Sequence, residues 1–177
     1  TKSLLKGKLI KRYKRFFVDV RINNGIVTAH CLNTGSMKGL LDKGNEVYLL
    51  KNDDPKRKLK YSLEIIKAKN NLVGVNTHFA NKIVKHALSN NLISELKNND
   101  LIKPEVFFNK ETRFDFLIEK NKQKKFIEVK NVTLFRDKNT AEFPDAITTR
   151  GSKHLLTLID AIKKGYITYL IFLVQIQ

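Results

Sequence analysis

Asp115, Glu128 and Lys130 place two carboxylates and an ammonium within the stretch RFDFLIEKNKQKKFIEVK, residues 113–130. These residue types suit a hard divalent cation, which binds through one or two carboxylates, waters and a substrate phosphate. A cation held this way can turn water into a nucleophile and stabilise the leaving oxygen of a phosphodiester. Lys130 would orient the attacking water or neutralise charge on the phosphate. The backbone carbonyl of Val129, between the two side chains, is a further candidate ligand. Taken alone, the triplet also fits a plain surface ion pair on a hairpin, the commoner outcome in a highly charged chain.

Two strands must position these groups. Phe114, Phe116 and Ile118 alternate with Arg113, Asp115 and Leu117, and Phe126, Glu128 and Lys130 alternate with Ile127, Val129 and Asn131, the period of two that marks a strand. The polar link from Glu119 to Lys124 reads as a hairpin turn. If it centres on Asn121 and Lys122, Asp115 falls opposite Glu128. Directly opposed residues share a face, and Lys130 joins that face two positions on. A strand is expected over Pro104–Phe108, and Glu105 within it is a candidate additional metal ligand. After the hairpin, Pro144 and Asp145 lead toward a helix. Leu155, Leu158, Ile159 and Ile162 form its apolar stripe and Gly165 its stop. A helix N-terminus bearing Arg and Lys attracts phosphate, so Arg150, Lys153 and His154 are candidates to flank a scissile phosphate. The apolar run Tyr166–Val174 is expected to be a central strand. The order β-β-β-α-β from Pro104 fits an α/β core.

Residues 1–75 read as six short strands separated by turn signals such as Asn23-Asn24-Gly25 and Lys43-Gly44-Asn45, a pattern that predicts a small barrel. Two basic clusters with interleaved aromatics, residues 11–16 and 56–61, make Arg12, Arg15, Arg57 and Lys58 candidates for phosphate contact. Phe16 and Phe17 are expected in the core. The loop Asn33–Met37 has the composition to offer backbone N–H groups to a phosphate, or to be a plain turn. A connecting helix is expected from Asn76 or Thr77, its apolar positions Phe79, Ile83, Val84, Ala87 and Leu88.

The balance of 34 Lys and Arg against 17 Asp and Glu gives a net charge of +17. A basic chain of this kind favours polyanions, nucleic acid first, although a Lys- and Asn-rich composition supplies part of the excess. No run reaches the ~18 apolar residues of a membrane span, and no signal peptide is recognisable. The single cysteine, Cys31, excludes an internal disulfide and a cysteine-cluster zinc site. It is expected in the core of a cytoplasmic protein.

Longer blocks carry a resemblance. RYKRFFVDV (12–20), HCLNTGSMKGLL (30–41), VGVNTHFAN (73–81), RFDF (113–116), IEVKNVTL (127–134) and FPDAITTRGSKHL (143–155) occur in this order. Together they resemble the sugar fermentation stimulation protein A family, and the hairpin is similar to the PD-(D/E)xK nuclease core. The resemblance implies an OB-like β-barrel over residues 1–75 that binds nucleic acid. It implies a restriction-endonuclease-like α/β domain over 76–177, and a DNA-binding function. On this likeness Asp115, Glu128 and Lys130 sit on the core motif with Mg²⁺ or Mn²⁺ as cofactor, and Phe114-Asp115 stands where Pro-Asp is usual. The family match also adds interest to Asn33 and Ser36, and members usually continue past the strand that ends this chain. Two functions follow: a metal-dependent nuclease, or a non-catalytic DNA-binding regulator of sugar metabolism genes. The intact triplet favours the nuclease. Single- against double-stranded DNA, and the oligomeric state, a dimer included, stay open.

Overall fold

The computed structural model describes residues 3–137, 140–146 and 148–177, and leaves the side chain of Arg150 outside that description. By contacts the chain divides into two units. One holds the chain up to His78, with Val132–Ala146 and Val174–Gln177; the other holds Phe79–Asn131 and Ile147–Leu173.

The first unit is built from β1 (Leu4–Tyr13), β2 (Phe17–Ile22), β3 (Gly25–His30), β4 (Glu46–Lys51), β5 (Tyr61–Ala68) and β6 (Asn71–Gly74). These run in the order β3-β2-β1-β4-β5-β6, and a parallel seam between β3 and β5, Ala29 with Tyr61 and His30 with Ser62, closes five of them into a barrel. This is the OB architecture. Inward positions alternate along the strands, so Val18 and Val20 of β2, Val47 and Leu49 of β4, and Leu63 and Ile66 of β5 are fully buried. Cys31 is buried among them as expected. The far end of the chain returns to this unit. Phe135 joins the core, Gly74 N–H donates to Gln175 O (2.9 Å), and Leu72 and Gln177 exchange backbone bonds of 3.1 and 3.0 Å. Asn76 caps the next helix, accepting from His78 N–H at 3.0 Å.

The second unit holds α1 (Thr77–Ser89), β7 (Leu101–Phe107), β8 (Arg113–Lys120), β9 (Gln123–Val132), α2 (Thr149–Lys163) and β12 (Ile167–Val174); a small hairpin, β10 (Leu134–Phe135) with β11 (Ala141–Glu142), falls between β9 and α2. Its sheet runs β12-β9-β8-β7. Ala80, Val84 and Leu88 of α1 cover one face with Phe116, Ile118, Ile127 and Val129. Leu158 and Ala161 of α2 cover the other with Phe114, Leu117 and Phe126. α2 is capped by Thr148, whose Oγ1 accepts from Gly151 N–H at 3.0 Å, and it ends at Gly165, where φ is +85°, the left-handed conformation glycine adopts freely.

Two expectations are corrected here. β12 is an edge strand among the described residues, not a central one. α2 turns Leu158 inward but leaves Leu155, Ile159 and Ile162 exposed. The buried face of this helix is the narrower one of Thr157, Leu158 and Ala161. In the small hairpin that follows β9, Arg136 and Glu142 pair at 2.9 Å.

Candidate active site

The β8–β9 hairpin fixes the site. Asn121 and Lys122 adopt φ of 50° and 64°, and Lys120 pairs with Gln123 across a two-residue turn. Positive φ at both central residues matches the right-handed twist of the strands. The ladder runs to Phe116 opposite Ile127. One step further, Asp115 replaces a ladder bond with a side-chain bond: its Oδ2 accepts from Val129 N–H at 2.7 Å. Its Oδ1 accepts from Asn81 Nδ2 of α1 at 2.8 Å. Both oxygens of Asp115 are therefore held in place.

Glu128 is buried, its side chain 4% exposed, and Oε1 accepts from Lys130 Nζ at 2.6 Å. The same oxygen meets Nδ1 of His154 from α2. Lys130 is itself only 15% exposed. A buried carboxylate persists only when charge and hydrogen bonds are supplied to it, and here an ammonium and an imidazole supply them. Glu128, Lys130 and His154 thus form one cluster. The sequence expectation puts Asp115 on their face, but its hydrogen bonds run to Val129 N–H and to Asn81 of α1 and not to this cluster. Phe114 and Phe116, two residues apart, pack in opposite layers, so strict alternation breaks at Asp115 and its carboxylate reaches toward α1. The two acids meet at Val129: Glu128 precedes it in the chain, and Asp115 binds its N–H.

Other candidates are placed differently. Glu105, at φ 55°, pairs with Arg113 at 2.8 Å and is half exposed, so its carboxylate is engaged outside the hairpin cluster. Lys153 is exposed and pairs with Glu111 at 2.7 Å. The side chain of Arg150 lies outside the described residues. Asn81 is a site residue that sequence reasoning missed. Its signal was its place in the VGVNTHFAN block, on the polar side of the predicted helix.

In the barrel unit, Arg15 and Lys58 are exposed and Arg57 half-buried. Arg12 is a correction. Its guanidinium donates to the carbonyls of Arg15 (3.2 and 3.0 Å), Asn33 (2.8 Å) and Gly35 (3.0 Å), so it braces the loop rather than waiting for a phosphate. Asn33 is buried, and its Oδ1 accepts from Gly35 N–H at 2.8 Å. The loop does recognise an anion, but one from its own chain. Met37 N–H (3.1 Å) and Ser36 Oγ (3.0 Å) both donate to Asp145 Oδ2. A Cβ on Gly35 would stand 3.1 Å from that same oxygen, which explains the glycine. Asn33 and Ser36 are therefore structural. Replacing Arg12 by Ala is expected to destabilise the fold by about 2–3 kcal/mol, as hydrogen bonds from a charged donor are lost and carbonyls are left unmatched. Arg12→Lys should lose nearly as much, because an ammonium cannot span three carbonyls. Chemical denaturation curves that overlay the wild type would show the brace contributes nothing.

Among the described residues no three of His, Cys, Asp or Glu converge as a metal cage. The donor set that is present, two carboxylates and the Val129 carbonyl, still suits a hard cation that keeps most of its waters. No described helix is long and apolar enough to cross a membrane.

Comparison with known proteins agrees with this architecture. The family model for the SfsA N-terminal OB domain matches residues 10–75, and that for the sugar fermentation stimulation protein RE domain matches residues 78–177. A sugar fermentation stimulation protein homolog of Pelagibacter ubique is 77% identical over all of this chain and 76% of its own length. One from Maricaulis maris is 43% identical over 98% of this chain and 74% of its own. The solved structure of Pyrococcus furiosus SfsA in complex with Ca²⁺ superposes with a TM-score of 0.89 at 26% identity, covering 99% of this chain and 74% of that one. Both family models and the relatives match along nearly the whole chain, and the chain belongs to the sugar fermentation stimulation protein family.

Proposed function

We propose that this chain is a DNA-binding protein whose hairpin site hydrolyses phosphodiesters with Mg²⁺ or Mn²⁺. The observation that carries the reading is the buried Glu128–Lys130 pair, set beside an Asp115 carboxylate pinned to Val129 N–H. A charged group this deep is costly to keep without a task, and sites where such groups gather are functional candidates. Asp115, Glu128 and the Val129 carbonyl would hold the cation, which when bound supplies an activated water and positive charge at the phosphate. That a relative was solved with Ca²⁺, another oxygen-seeking cation, supports this choice of ligand. Lys130 donates a hydrogen bond to the oxygen of the attacking water and offsets charge on the phosphate. Asn81 keeps Asp115 oriented, and His154 keeps Glu128 oriented. The excess of 17 positive charges draws the polyanion in.

One observation favours a second reading, a non-catalytic DNA-binding regulator of sugar metabolism genes. Lys130 and His154 both contact Glu128 Oε1, a pairing that a purely structural cluster would also make. A cleavage assay separates the two. Wild-type protein should cut DNA with Mg²⁺ or Mn²⁺, stop on chelation, and lose the activity in Asp115→Ala while still binding DNA. Equal cutting by the variant would refute the site, and binding without cutting by any protein would favour the regulator.

A further inference from the structure

We propose that Phe16 is a stacking platform for an unpaired base, and that the barrel unit therefore prefers single-stranded nucleic acid to duplex. This rests on the nucleic-acid reading above and names the form of the partner. Phe16 was expected in the core, yet 47% of it is exposed. The reason is local. Lys14 and Arg15 take φ of 48° and 62°, which reverses the chain tightly between β1 and β2. Val18 and Val20 then fill the interior, and Phe16 is left on the rim.

It is not alone there. Phe16, Phe17, His30, Arg57, Lys58 and Leu59 line a shallow groove of about 300 Å³, at the lower end of small-ligand pockets. The six comprise apolar surface, two cations and an imidazole, with no carboxylate among them. Burial, aided by the nearby charges of Arg57 and His78, pushes the His30 imidazole below its usual pKa. It is then neutral at physiological pH and able both to donate and to accept a hydrogen bond. Exposed Lys14 and Arg15 sit on the adjoining turn. An aromatic face flanked by cations is how proteins hold single strands: phosphates meet the charges and base faces meet the ring. In a duplex each base face is covered by its neighbours, so only an unpaired base can lie on Phe16.

The chain contains no tryptophan, so Phe16→Trp installs a lone indole reporter at the site. Oligothymidine should quench its fluorescence, and a duplex of equal length should not. Phe16→Ala in the full chain should weaken oligothymidine binding by about five- to a hundredfold, the range for losing one stacked base. Its salt dependence should not change, because no phosphate contact is removed. Arg57→Ala with Lys58→Ala should instead flatten that dependence, by about 0.7 in log–log slope per contact. Wild-type affinity in Phe16→Ala, or equal quenching by duplex, overturns this proposal alone. Binding of neither nucleic acid by the wild type would overturn the proposal together with the reading it rests on.

Discussion

Lys130→Met is expected to lower metal-dependent cleavage by about 10²–10³-fold, the scale of removing one preorganised electrostatic group from a reacting centre. Methionine keeps the unbranched shape of the lysine stem but removes the ammonium that lies 2.6 Å from Glu128 Oε1. The loss should appear in kcat, with KM and DNA affinity nearly unchanged, because the lysine acts on charge that develops during the reaction. Single-turnover kinetics with saturating protein would measure this directly. If turnover is unchanged, Lys130 serves only to neutralise Glu128 and the proposed chemistry loses its cationic partner.

Glu128→Ala is expected to destabilise the second unit by about 3–5 kcal/mol, the cost of leaving a buried charge without its partner. The carboxylate is nearly inaccessible, and both Lys130 and His154 point at one of its oxygens. Against a total stability of about 5–15 kcal/mol, the loss should be plain as a lowered denaturation midpoint. Adding Lys130→Met to Glu128→Ala should recover part of it, since the stranded ammonium goes too. Additive losses in that double variant would mean the two side chains are not coupled. Glu128→Gln, which keeps the acceptor oxygen and the shape, should fall between wild type and Ala.

How much of this was legible in the sequence depends on the kind of information. The hairpin register follows from period and turn composition, and the ladder pairs Phe116 with Ile127 in that register. The six strands of the first unit, both helices and the stop at Gly165 follow from the same local rules. Three-dimensional crowding is less legible. Leu155, Ile159 and Ile162 have the spacing of a core stripe, but α2 packs through Thr157, Leu158 and Ala161. Spacing gives the angle of a stripe and not which of two neighbouring stripes lies against the sheet. Phe16 and Phe17 are adjacent and identical in type, yet after the reversal at Lys14 and Arg15 Phe16 is exposed and Phe17 half-buried on the same groove, and neither joins the barrel core. The partners of Arg12 and Ser36 lie far along the chain or on backbone carbonyls, where no side-chain pattern records them. Asn81 is legible only once Asp115 has been placed.

The return of the chain to the barrel bears on synthesis. A ribosome delivers β6 early, but Gln175 and Gln177, which pair with Gly74 and Leu72, emerge only after the whole second unit has been made. Phe135, part of the same core, is also late. During translation the nascent barrel must therefore wait with an unfilled core position and an open strand edge, which gives chaperones a defined window in which to bind it.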